Sequence, residues 1–154
     1  MKKLLAIICV AAMLLSLGAF AGAESDGVIT VTTAEELAAM NENLSADYVL
    51  GADIDLAGIK WTPIGTYVPS GESEEEQEIP SSEYAFTGTF DGNGYTISNL
   101  TITGEDNIAA GLFGCIASTE VGNFTLENAL VEGTVMVADA VGYSFSSTVY
   151  DVTL

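Results

Sequence analysis

Residues 86–126, FTGTFDGNGYTISNLTITGEDNIAAGLFGCIASTEVGNFTL, decide the fold of this chain. They read as short runs of alternating residues, each broken by glycine, asparagine or aspartate, the residues that tolerate a turn or a positive φ. From Gly111 the pattern returns. GLFGCIASTEVGNFTL (111–126) lies over DAVGYSFSSTVYDVTL (139–154) at a fixed offset of 28 residues, so that Gly114 meets Gly142, Ser118 meets Ser146, Val121 meets Val149, Thr125 meets Thr153 and Leu126 meets Leu154. Upstream, Ile97, Leu100 and Ile102 precede Val121, Phe124 and Leu126 by 24 residues, a second and looser echo. Self-similarity among strands at a period of about 20–30 residues predicts a solenoid whose turns stack one on another. The expected fold is all-β, a right-handed parallel β-helix with a short capping α-helix at its N-terminal end.

Working outward, Tyr48–Leu56 (YVLGADIDL) reads as strand, bend, strand, with Ile54 and Leu56 inward and Asp53 and Asp55 outward. Trp61, Pro63, Ile64 and Gly65 follow as another short extended piece. Residues 69–84 (PSGESEEEQEIPSSEY) break every pattern with six glutamates and two prolines. Such a block buries too little to order itself and is expected as a loop inserted between coils. Residues 95–102 are expected to form one strand. Asn99, Asn123 and Asp151 are assigned equivalent places in successive coils, where stacked side chains can bond to one another or to the neighbouring bend.

Ahead of the coils, Val28–Val31 alternates as a first strand. TTAEELAAMNENL (32–44) then switches to helical spacing, with Leu37, Met40 and Leu44 on one face and Thr33 and Glu36 placed as a capping box. This helix, about 34–44, is expected to cover the open first coil, whose apolar interior would otherwise be exposed. Residues 1–23 carry Lys2 and Lys3, a long uncharged apolar run and Ala21-Gly22-Ala23, the layout of a cleaved secretory signal peptide. Glu24 and Asp26 follow, so no cationic stop-transfer flank argues for a retained anchor, and Cys9 lacks a lipobox. The domain reading is therefore a signal peptide at 1–23, a first strand and capping helix at 24–47, and coils over 48–154 with the acidic insertion at 69–84. Strand 149–154 ends without a cap, which predicts an N-terminal portion of a longer β-helix that self-associates through its C-terminal edge.

Composition narrows the function. Beyond residue 23, Lys60 is the one cation against 22 carboxylates, a net charge of −21. That charge argues against nucleic acid or an anionic membrane as partner, since neither would find a cationic footprint. Cys115 is the single cysteine of that segment, so an internal disulfide is impossible; its apolar neighbours mark it as a small core residue. The chain has no histidine, which removes H-E-x-x-H zinc sites and Ser-His-Asp triads. No Gly-rich loop leads to a Lys-Ser/Thr phosphate cradle. Asp91-Gly92-Asn93-Gly94 superficially resembles a calcium loop but lacks the remaining ligand positions, and turn chemistry accounts for its glycines.

Together YVLGADIDLAGIKWTPIG, FTGTFDGNGYTISNLTI and AAGLFGCIASTEVGNFTLENALVEG resemble the repeat region of bacterial secreted, adhesin-like surface proteins carrying the GLUG motif. The resemblance spans about 29–154 and is loosest at 139–142. It implies a right-handed parallel β-helix serving as a stalk or binding platform, a module that also flanks some immunoglobulin-cleaving metallopeptidases. The motif has no catalytic residues, so none transfer. The expected function is a non-catalytic secreted or cell-surface module with no cofactor, no catalytic or metal-ligating residue, and an extracellular protein or carbohydrate as ligand. The alternative is a polysaccharide-cleaving enzyme using Asp53 and Asp55, which lie two apart on one strand at about 6–7 Å, within the range of an inverting pair. Against it, so acidic a chain repels a uronate polymer.

Overall fold

The computed structural model describes residues 27–68, 83–103 and 108–154. The proposed signal peptide and most of the acidic block, 69–82, lie outside them. The described residues form an all-β fold in which every strand pairing is parallel, with one short α-helix near the start.

Strand β1 (Val28–Val31) pairs in register with β2 (Asp47–Leu50), so the first strand belongs to the same ladder as the rest. Between them sits α1 (Ala34–Ala39), continued by a 3-10 turn at Met40–Glu42. Thr33 caps it by accepting from the Glu36 amide at 3.2 Å. The Glu36 carboxylate reaches back one residue further than a simple capping box requires, taking both the amide and the hydroxyl of Thr32. Leu37 and Met40 are fully buried in the main core and Leu44 packs against it.

The chain then makes successive passes. β3 (Ile54–Asp55) follows β2; β4 (Phe90–Asp91), β5 (Thr96–Ser98), β6 (Thr101–Ile102), β7 (Ala109–Ala110) and β8 (Phe113–Ala117) make the next pass. β9 (Glu120–Glu127), β10 (Leu130–Val131), β11 (Met136–Val137) and β12 (Val141–Phe145) lie on that one, and β13 (Thr148–Thr153) lies on β9. The pairing Val149 on Val121 and Thr153 on Thr125 is the 28-residue offset of the sequence. β12 lies on β8 with the same offset.

The looser 24-residue echo is not the register. Ile97 pairs with Leu126 and Thr101 with Leu130, an offset of 29, which sets Asn99 against Asn128 and not Asn123. The reason is backbone conformation. Asn99 and Asn128 both adopt left-handed φ (59° and 54°), and two bends of one kind must stack for the strands on either side to stay paired. The same bend divides the expected strand 95–102 into β5 and β6. Asn123 and Asp151, at φ 59° and 46°, form another bend, as do Ser118 and Ser146 at 52° and 49°. Where β13 lies on β9 only glycine fits at one position: a Cβ on Gly122 would run into the Tyr150 carbonyl and ring.

One core runs through the passes. A continuous series of rings, Tyr48–Phe86–Phe113–Phe90–Phe124, has centroid separations of 6.2, 5.3, 5.3 and 5.7 Å. Ile97, Leu100, Ile102, Val121 and Leu126 are buried around it. Val152 is half-buried against this core, but Val149 and Leu154, the matches of buried Val121 and Leu126 at the 28-residue offset, are 44% and 73% exposed. They occupy the inward positions of the last layer, over which no described residue packs.

Candidate functional site

The outward face of the ladder is where the candidate carboxylates lie, and the next pass of chain decides their chemistry. Asp47 Oδ1 accepts from the amide and hydroxyl of Thr89, both at 2.8 Å. Asp53 Oδ1 accepts from the Thr96 amide at 2.8 Å. Asp55 Oδ1 takes the Asn99 side-chain amide at 2.8 Å and the Ala57 amide at 2.9 Å. Asp91 Oδ1 takes the Asn93 amide at 2.7 Å and the Asn123 side-chain amide at 2.8 Å. Four aspartates thus make one kind of contact, in which a carboxylate on one pass receives an N–H from the next or from its own turn.

Asp53 and Asp55 are outward and exposed, as the alternation predicts, and each is engaged as an acceptor. The Asn99 amide, then the Ala57 amide, hold the Asp55 carboxyl below its ordinary value, with burial opposing weakly. A general acid for glycoside cleavage needs the opposite shift. Lys60, the one cation beyond residue 23, is exposed. Asp91-Gly92-Asn93-Gly94 forms a turn closed on the Asp91 carboxylate, with Asn93 at φ 51° and Gly94 at φ 76°. Among the described residues no three histidine, cysteine, aspartate or glutamate side chains cluster as metal ligands.

A polar cleft of about 290 Å³ opens where the passes turn between β8 and β9. Thr87 and Thr89 line it from one pass, Ser118 and Glu120 from the next, Ser146 and Thr148 from the last. The left-handed bends at Ser118 and Ser146 swing the chain out and form its wall. The neighbouring Thr119 is buried, with its hydroxyl donating to the Gly88 carbonyl. The cleft therefore offers hydroxyls and one carboxylate, a lining suited to hydrogen bonding and without an apolar floor. Sequence reasoning missed it; a usable signal was the recurrence of Ser118 at Ser146 beside Thr119 and Ser147.

Cys115 is buried with Ala85 and Ala117 beneath Tyr67 and Tyr143, and burial pushes its thiol up to about 11. It is a core residue, as its neighbours predicted. No helix among the described residues is long and apolar enough to cross a membrane.

No protein-family model matches the chain. It is similar to Halomucin from Haloquadratum walsbyi (strain DSM 16790 / HBSQ001), 33% identical over an alignment of 136 residues, with 84% of this chain and 1% of that protein covered. Among solved structures it resembles a candidate immunoglobulin A1 protease from Bacteroides ovatus, with a TM-score of 0.52 and 24% identity over 73% of this chain and 30% of that one. The chain therefore spans a small fraction of each relative, and the structural likeness is one of fold.

Proposed function

We propose that this chain is a non-catalytic module of an exported or cell-surface protein, built as a right-handed parallel β-helix of the GLUG-repeat kind and serving as an adhesin-like stalk or binding platform. The observation that carries the reading is the use made of the outward carboxylates. Asp47, Asp53, Asp55 and Asp91 each join one pass to another or close a turn, so the acidic face is structural before it is anything else. The recurrence of parallel pairs at 27–31 residues among β4 to β13 supports a helical solenoid. Likeness to Halomucin, a mucin by name, supports an extracellular setting.

The polysaccharide-cleaving alternative requires Asp53 and Asp55 to be free for proton transfer, and both already accept hydrogen bonds that hold the passes together. A binding platform makes the hydroxyl-lined cleft its contact point, with a carbohydrate as the favoured ligand because hydroxyls and one carboxylate match a polyhydroxylated surface. The test is to express the full chain and assay its export, its start and its effect on polysaccharides. Cleavage after Ala23, recovery outside the cell, and no new reducing ends from acidic or neutral polysaccharides are expected. Chain cleavage of a polysaccharide that disappears in Asp53→Asn would overturn the reading.

A further inference from the structure

Three asparagines stand in the context Asn-x-Ser/Thr: Asn43-Leu44-Ser45, Asn99-Leu100-Thr101 and Asn123-Phe124-Thr125. In an exported protein that context is the acceptor sequence for an N-linked glycan. The fold treats the three differently. Asn99 and Asn123 sit at left-handed bends, and each commits its side-chain nitrogen to a carboxylate at 2.8 Å, Asn99 to Asp55 and Asn123 to Asp91. Their middle residues, Leu100 and Phe124, are buried in the core. A transferase cannot engage either triplet without pulling a core side chain out of the ladder.

Asn43 is the reverse case. It follows the 3-10 turn, is exposed, and has non-helical backbone at φ −145°, ψ 82°. Its backbone is anchored, since its carbonyl accepts from the hydroxyl of buried Tyr48 at 2.9 Å and its amide donates to the Met40 carbonyl at 3.1 Å. The Ser45 hydroxyl donates to Asn43 Oδ1 at 3.2 Å. That contact brings together the two side chains the acceptor sequence specifies. Among the described residues Asn43 Nδ2 donates no hydrogen bond.

We infer that Asn43 is an N-glycan acceptor of this chain and that Asn99 and Asn123, held by their aspartates, are not. The inference rests on the exported setting proposed above. The donor is an oligosaccharide carried on a lipid phosphate, supplied with its transferase by the exporting cell. Asn43 Nδ2 attacks the anomeric carbon, the bond from that carbon to the phosphate oxygen breaks, and the lipid phosphate leaves with the electron pair. One Nδ2 proton passes to a base on the transferase. No oxidant or reductant is needed.

The test uses a purified N-oligosaccharyltransferase and its lipid-linked donor, chosen because it modifies synthetic peptides carrying each of the three triplets. Incubated with the folded full chain, it should add one glycan, mapped by Glu-directed proteolysis and mass spectrometry to the Asn43 peptide. N43Q should abolish the addition, S45A should lower occupancy at least tenfold, and S45T should retain it. A folded chain that stays unmodified while the peptides react, or a glycan found on Asn99 or Asn123, overturns the inference. A second arm expresses the chain in a cell with the pathway. Exported protein without the glycan also overturns it, whereas a chain retained with residues 1–23 attached counts against the export reading and leaves the purified reaction to decide the acceptor.

Discussion

Asn123 and Asp91 are 32 residues apart in the chain and meet through one hydrogen bond, Nδ2 to Oδ1 at 2.8 Å, made from a left-handed backbone at Asn123. One residue therefore answers two demands. Its short amide tolerates positive φ, and its nitrogen binds the carboxylate of the preceding pass. Ordinary L-residues pay about 1–2 kcal/mol for that backbone region, and a hydrogen bond to a charged group contributes about 1.5–3 kcal/mol.

Replacing Asn123 separates the two roles. Asn123→Gly keeps the conformation and loses the bond, so a destabilisation of about 1.5–3 kcal/mol is expected. Asn123→Ala loses both and should cost about 1–2 kcal/mol more. Urea denaturation followed by circular dichroism reads the difference; equal midpoints for the two variants would refute the backbone argument.

Asp55 supplies a pH test. Its folded-state value is depressed by the Asn99 and Ala57 amides, so its contribution is fully present above the ordinary value of 3.8 and is lost as pH falls through the lower folded value. Asp55→Asn should therefore flatten stability against pH in the window at and below 3.8. Parallel curves for the two proteins through that window would contradict the assignment.

The ring series predicts where the core is least forgiving. Phe90 is 1% exposed and touches both Phe113 and Phe124. Phe90→Ala should cost about 3–5 kcal/mol, and Phe90→Leu distinctly less because much of the volume is kept. A midpoint shift for Phe90→Ala no larger than that of an exposed control, Tyr84→Ala, would show that the series does not carry the core.

Cys115 should be silent in the native state. With the thiol buried and its pKa raised to about 11, an aromatic disulfide reagent at pH 8 should leave it unlabelled over hours and label it fully once urea unfolds the chain. Fast native labelling would place it outside the small cluster with Ala85 and Ala117.

The exposed last layer sets an expectation for association. Val149 and Leu154 present apolar side chains beside the outer edge of β13. Self-repulsion at a net charge of −21 opposes contact between copies, and salt screens it. The chain without residues 1–23 should therefore associate more as salt rises, and Val149→Lys with Leu154→Lys should suppress this in sedimentation velocity. A monomer at every salt concentration would refute the association.

What could be read from the chain depended on how far apart the deciding residues lie. The 28-residue register was legible because both copies keep a bend serine, a strand valine and a threonine at matching places. The 24-residue echo misled because an apolar spacing of three then two fits several registers. The bends at Asn99 and Asn128 select the true one, and their conformation is not written in the apolar pattern. Asp53 and Asp55 were correctly placed outward by alternation. Their engagement was not legible, since the partners Thr96 and Asn99 come 43 and 44 residues later. Nor did an inward position at Val149 say whether anything would cover it.

The unequal length of the passes has a consequence for what such a scaffold tolerates. From β2 to β4 the offset is 42 residues, against 28 between β9 and β13. On either side, Ile64 bridges to Phe113 and Phe86 to Ile116, so the ladder resumes after the longer pass. Closing a longer loop costs only logarithmically in its length. Extra chain between Ile64 and Phe86 therefore leaves the pairs that define the fold with their partners on both sides.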